Sequence, residues 1–243
     1  MPVTELDPTP LVELRGVRAA YGTIEVLHGV DLTVPGGSVL AILGPNGAGK
    51  TTTLKVLSGA MAPTSGSVLM EGLDVTGSSA QRLARAGVCL IPEGRGIFPN
   101  LTVRENVLMD SFAANGRSVR ELEAVAYERF PRLRDRRGQM AGTLSGGEQQ
   151  MLALARALTT DPALILLDEL SMGLAPVIVA ELFSIVRELA ATGVTTIVVE
   201  QFAGVIAFVD QVALMAHGRV QAVAAPDDIA DRLASTYLGE AAV

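Results

Sequence analysis

"VLAILGPNGAGKTTTLKVLSG", Val39 to Gly59, changes character twice. It begins as an aliphatic run, breaks at Gly44, Gly47 and Gly49, and resumes as a helical pattern that Gly59 ends. The central "GPNGAGKT" matches G-x-x-x-x-G-K-[ST] and sits between a strand and a helix, the context in which such a loop wraps a phosphate. The three glycines let the backbone turn tightly and aim N–H groups at a β-phosphate, with Pro45, Asn46, Ala48 and Thr52 completing the cradle. Lys50 places a point charge on the β/γ oxygens, and Thr51 offers a hydroxyl to Mg²⁺. An ordinary glycine-rich turn would not need strand, loop, lysine and helix in register.

Similar aliphatic runs recur at "VCLIP", "ALILLDE" and "TTIVVE", each short and followed by a polar or glycine-rich turn. Such near-continuous apolar character predicts buried parallel strands. Helices are expected at Lys50 to Ser58 and at Pro176 to Ala191, the latter opening with proline in its first turn. Alternation of these elements gives an α/β class with a mostly parallel core sheet. The earlier "LVELRGVRAAYG…LHGVDLTVPGGS" alternates more and is broken by Gly and Pro, which predicts an antiparallel sheet before the phosphate loop. From Leu101 to Leu158 the strand signal disappears, and Thr102 with Glu105 forms a capping box. We read 1–243 as one domain with a helical subdomain at 101–158 inserted in it.

The composition excludes several classes. A formal net charge of −7 argues against a general affinity for nucleic acid, which draws its strength from Lys and Arg on phosphates. One cysteine, Cys89, allows no internal disulfide, and two histidines, His28 and His217, leave little material for a zinc site. No apolar run approaches the ~18 residues of a membrane span, and "MPVTELDPTP" is unlike a signal peptide, so a cytoplasmic location is expected. The mean hydropathy of +0.39 comes from Ala, Val and Leu, since Trp is absent. Five arginines in "YERFPRLRDRRGQMAG" could meet an acidic partner or form a solvated face.

Two further stretches carry chemistry. "LILLDE" ends a buried strand in Asp168, placed to hold a Mg²⁺ shell, and in Glu169, placed to polarise a water for in-line attack on a γ-phosphate. "LSGGEQQMLALARAL", Leu144 to Leu158, runs a serine and two glycines into an amphipathic helix whose free N–H groups suit an anion. One chain thus carries two phosphate-binding stretches.

With "GPNGAGKTT", "LSGGEQQ" and "LILLDE" in that order, the chain resembles the nucleotide-binding subunits of ABC transporters over nearly its whole length. That resemblance implies a P-loop NTPase fold and ATP hydrolysis with Mg²⁺. It also implies that two subunits lie head to tail, so that Ser145, Gly146, Gly147 and Glu148 close over the γ-phosphate held by Lys50 of the neighbour. Tyr21 matches the aromatic that stacks on adenine. "SMGLAP", Ser171 to Pro176, takes the place of the loop along the dimer seam.

Departures from the commonest pattern are specific. Glu93 stands where most members carry a Gln that reaches Mg²⁺, Gln201 where they carry a switch His, Ala175 where an Asp is usual, and Leu170 where Pro follows the catalytic Glu. "PEGRGIFPNLTVREN", "LSGGEQQML", "SMGLAP" and "VVEQ" together look like the shorter ATPase subunit of branched-chain amino acid importers. The implied partners are integral-membrane permease subunits, a second ATPase subunit, identical or homologous, and indirectly a substrate-binding protein. The implied place is the cytoplasmic face of the membrane. "GIFPNL" either receives a helix from the permease or seats the helical insert on the core. A soluble ABC ATPase acting without transport is the alternative, less suited to one cassette with no heptad run; retention of Lys50, Asp168 and Glu169 argues against a module that binds ATP without hydrolysing it.

Overall fold

The computed structural model describes residues 10–109, 116–201 and 203–229. The acidic start of the chain, residues 110–115 of the insert and Phe202 after the switch position therefore lie outside the described residues.

Side-chain alternation on one strand organises the interior. Strand β3 (Val39–Leu43) is buried along its length. Val39, Ala41 and Leu43 enter one hydrophobic core, while Leu40 and Ile42 enter another. Successive strand residues point to opposite faces, so a strand covered on both sides must be apolar throughout. That is why "VLAIL" reads as an unbroken run. β7 (Leu164–Asp168) divides in the same way, with Ile165 and Leu167 on one face and Leu164 and Leu166 on the other.

The six-stranded sheet has the order β10-β9-β3-β8-β7-β6, with β6 at Val88–Ile91, β8 at Thr195–Glu200, β9 at Gln211–Ala216 and β10 at Arg219–Ala224. All its pairings are parallel except β9 with β10. On one face lie α1 (Lys50–Leu57) and a second, antiparallel sheet of order β2-β1-β4-β5, built from β1 (Val12–Tyr21), β2 (Ile24–Val34), β4 (Ser65–Met70) and β5 (Leu73–Asp74). On the other face lie α6 (Gly146–Thr159) and α7 (Pro176–Ala191). Helix α2 (Ala80–Arg85) leads into β6.

Between Leu101 and Leu158 no named strand occurs among the described residues; a single bridge joins Thr102 to Met140. Helices α3 (Val103–Leu108), α4 (Val119–Arg129) and α5 (Pro131–Asp135) pack against α6. Three helices in this region open on reciprocal capping boxes, Thr102 with Glu105, Ser118 with Glu121 and Ser145 with Glu148. Each box satisfies two N–H groups that a helix start leaves orphaned.

The expected strands and both expected helices are present, with Ser58 as the C-cap of α1 and Gly59 beyond it at φ 71°. The reading passed over β4, β5, β9, β10 and α2, elements that the structure adds.

Candidate active site

Parallel strands put their carboxyl ends on one edge, where open α/β sheets bind ligands. Leu43 at the end of β3 pairs with Glu200, and Asp168 at the end of β7 pairs with Val199. β8 thus stands between the strand that feeds the phosphate loop and the strand that supplies the carboxylates.

The phosphate loop leaves its donors open. Gly47 and Gly49 have φ of 79° and 104°, values that side chains rarely adopt. Gly49 caps α1 with no side-chain hydrogen bond, so no side chain claims the first N–H groups of the helix, whose residues Lys50, Thr51 and Thr52 line the adjoining cavity. Gly44 is fixed by space, since a Cβ there would fall 2.0 Å from the carbonyl oxygen of Met215. Lys50 is only 5% exposed, and its ammonium donates to the carbonyls of Gly44 at 2.8 Å and Pro45 at 3.0 Å. Burial draws its pKa below the ordinary lysine value, against the opposing pull of Glu169, Asp168 and Glu200. A cavity of about 220 Å³ opens beside it, lined by Asn46, Gly47, Lys50, Thr51, Thr52, Glu93 and Glu169 among others. Pro45 and Ala48 shape the loop, with Ala48 buried.

At the edge of this cavity the Thr51 hydroxyl donates to Asp168 Oδ1 at 3.1 Å. Asp168 is pushed above the usual carboxylate range, first by burial and also by the charges of Glu169 and Glu93, with Thr51 and Lys50 opposing. A buried carboxylate beside a hydroxyl, in the field of further carboxylates, is an all-oxygen donor set that suits a hard divalent cation. Among the described residues no cluster of three or more His, Cys, Asp or Glu could hold an ion unaided. Mg²⁺ does not require one, because it keeps waters and takes few protein ligands beside nucleotide phosphates.

Glu169 follows directly, at φ 53°, a left-handed conformation uncommon outside glycine. Gln201 Nε2 donates to its Oε1 at 2.5 Å. Leu170 is buried in the core, so the residue in place of the expected proline acts as an apolar anchor. Ala175 caps α7 by backbone alone. Tyr21 is 45% exposed, with Lys55 Nζ donating to its hydroxyl at 3.1 Å. Hydrogen bonding with Thr52, and more weakly with Lys55, lowers its pKa, which ties the ring to the helix behind the phosphate loop.

The second glycine stretch is built otherwise. Ser145 donates its hydroxyl to Glu148 Oε2 at 2.7 Å and its N–H to the same oxygen at 2.9 Å, while Arg136 pairs with Oε1 at 3.0 Å. Both carboxylate oxygens of Glu148 are therefore engaged within the chain. Gly146 and Gly147 are absent from the positive-φ glycines. A Cβ on Gly147 would lie 2.5 Å from Ile178 Cγ2, and one on Gly146 2.9 Å from Arg95 Nη2. None of Ser145, Gly146, Gly147 and Glu148 lines the cavity at Lys50.

Sequence reading missed two groups. Glu200, 2% exposed, accepts from both the N–H and the hydroxyl of Ser171; a carboxylate closing an apolar strand was the available signal. Arg95 hydrogen-bonds Gln149, whose amide donates to the carbonyls of Leu144 at 3.1 Å and Ala141 at 3.3 Å. Of "GIFPNL", Ile97 packs on the core while Phe98 is 42% exposed under the Arg156 guanidinium. Arg129 and Arg132 pair with Glu188 and Glu181 of α7 and Arg136 with Glu148, so much of the arginine run is satisfied by this chain's own carboxylates. His28 pairs with Glu25 at 3.2 Å.

Comparison with known proteins gives a consistent picture. The family model described as ABC transporter matches residues 27–171. The chain is similar to the high-affinity branched-chain amino acid transport ATP-binding protein BraG of Pseudomonas aeruginosa, 42% identical over 84% of this chain and 88% of that protein. It is also similar to the glutamine transport ATP-binding protein GlnQ of Escherichia coli, 32% identical over 87% of this chain and 92% of that one. Among solved structures, an ATP-binding cassette in a dimeric post-hydrolysis state bound to ADP and phosphate superposes with a TM-score of 0.80 at 26% identity, covering 88% of this chain and 98% of that one.

Proposed function

Because the chain belongs to the ABC transporter family, as an ATP-binding subunit with ATPase activity, we propose that it powers an importer of branched-chain or related amino acids. The supporting observation is which residues share the cavity at Lys50. Lys50, Thr51, Glu93 and Glu169 share one cavity, and the second phosphate-binding stretch takes no part in it. In our reading, Ser145, Gly146 and Gly147 serve the nucleotide of a second subunit, an arrangement that closes two equivalent sites reciprocally.

Within each site the loop N–H groups and Lys50 hold the triphosphate, and Tyr21 stacks on the base. Thr51 and Asp168, with Glu93, would hold Mg²⁺, which when bound neutralises charge on the phosphates. Glu169 takes a proton from the attacking water as oxygen joins the γ-phosphorus and the bond to ADP breaks. Gln201 holds Glu169 before the nucleotide arrives and can turn its amide to a γ-phosphate oxygen afterwards. ATP thereby joins the halves, and hydrolysis releases them.

No helix among the described residues is long and apolar enough to cross a membrane. We place the chain at the cytoplasmic face, on permease subunits that meet a substrate-binding protein outside; Phe98 and its loop are a candidate contact. Reconstitution with those membrane subunits tests the reading. Leucine- or valine-loaded binding protein should raise ATP turnover several-fold while glutamine does not, whereas equal stimulation by unrelated cargo would remove the substrate assignment.

A further inference from the structure

We propose that Glu200 is a positioning residue, the middle member of a three-point clasp by which the end of β8 fixes Glu169 for hydrolysis. The inference rests on the reading of Glu169 as the carboxylate that activates water.

Three consecutive residues make the clasp. The carbonyl of Val199 accepts the backbone N–H of Glu169 at 3.0 Å. The carboxylate of Glu200 accepts the N–H of Ser171 at 2.8 Å and its hydroxyl at 2.6 Å. Gln201 then donates to the Glu169 side chain at 2.5 Å. Residues on both sides of buried Leu170 are thus gripped by one strand end. A non-glycine residue at φ 53° persists only where its surroundings over-determine it, and these bonds supply that constraint.

Packing alone would not hold the segment. Leu170 enters the core and Leu174 packs against it, but Met172 between them is 50% exposed. A cavity of about 410 Å³ lies alongside, bordered by Glu169, Ser171, Met172, Glu200 and Gln201. The loop has room to shift into it once Ser171 is released. Burying a carboxylate is costly, and burial does raise the pKa of Glu200, so a position with no task beyond packing would favour an apolar side chain. Leu170 and Ala175 bring no polar side chain to this loop, so Glu200 holds Ser171 where its neighbours offer only backbone.

Steady-state hydrolysis by the full chain tests it, with binding of a fluorescent ATP analogue as the check on folding. Glu200→Ala should lower kcat about tenfold with KM for ATP within about twofold, the split expected when an interaction acts on the chemical step and not on binding. Ser171→Ala, which keeps its N–H, should lose about threefold, and the double variant should fall no lower than Glu200→Ala alone, since the bond that Ser171→Ala removes is one of the two that Glu200→Ala removes. Ser171→Thr keeps both donors and should retain most turnover; Glu200→Gln keeps one acceptor and should fall between wild type and Glu200→Ala. Unchanged kcat in Glu200→Ala, additive losses in the double variant, or a rise in KM that accounts for the whole effect would overturn the proposal. Glu169→Gln run in parallel separates the two readings. If it turns over normally, the assignment of Glu169 fails; if it is inactive while Glu200→Ala is not, the clasp alone fails.

Discussion

The loops at Gly44–Thr52 and Ser145–Glu148 both set glycines at the start of a helix, yet they use glycine for different physical reasons. In the first, Gly47 and Gly49 supply torsions that other residues rarely adopt, and the helix start is left without a side-chain cap. In the second, the glycines have ordinary torsions and supply room, against Ile178 and Arg95, while Ser145 and Glu148 cap the helix reciprocally. The difference separates a cradle that is open at rest from a helix end already covered by its own carboxylate. A phosphate reaching Ser145 must draw the hydroxyl away from Glu148, which only a highly charged, well-placed group can do. Under the proposed function, such a helix end receives a nucleotide already fixed on the partner subunit.

That contrast can be broken in graded ways. The largest effect should come from Lys50→Ala, which removes the buried cation of the open cradle and should lower phosphate release by on the order of 10²–10³. Gly49→Ala should destabilise the chain by about 3 kcal/mol in urea unfolding, combining a forbidden torsion with overpacking. A Cβ there also meets Leu27 and Met215 at 2.8 and 2.9 Å, but trimming either cannot repair the torsion. Gly147→Ala should cost about 1 kcal/mol, and Ile178→Ala in the same chain should recover part of it, since only space is at issue.

Asp168→Asn should abolish turnover yet raise Tm at neutral pH. The sign follows from the raised carboxyl. The folded chain keeps a proton that the unfolded chain releases above the ordinary 3.8, so this share of stability is complete below that value and is lost as pH rises through the folded pKa. The variant's advantage should therefore shrink on acidification. The smallest effect is an absence: with an amide at Gln201, pH–rate profiles of wild type and Gln201→Ala should share one shape between roughly pH 6 and 8, because no imidazole titrates there.

Much of this architecture is legible in the sequence because the central strands are covered on both faces. Two-sided burial leaves "VLAIL", "LILLD" and "TTIVVE" with no polar interruption, and such runs announce themselves. The strands passed over lack that mark or sit where it is diluted. β10 alternates between exposed and half-buried positions at the sheet edge, and β4 opens on Ser-Gly-Ser. β9 is as apolar as the core strands, and only the absence of a motif beside it let it pass. Of the site residues with motif spacing, Lys50, Thr51 and Glu169 line one cavity at the strand ends and Asp168 accepts from Thr51, while Ser145 to Glu148 lie outside that cavity. Glu200 and Arg95 were missed, since their importance lies in contacts across 29 and 54 residues of chain that no local pattern encodes.

The central claim is that a complete reaction centre needs both loops from different chains, and mixing variants tests it most directly. Lys50→Ala and Ser145→Ala each damage both sites of a symmetric pair. An equal mixture, allowed to exchange, forms mixed pairs in which one site carries both defects and the other none. Phosphate release should then recover to about a quarter of the wild-type rate, from half of the pairs with one sound site each. A mixture no more active than its better component, alongside wild-type turnover per chain that ignores dilution, would contradict the account.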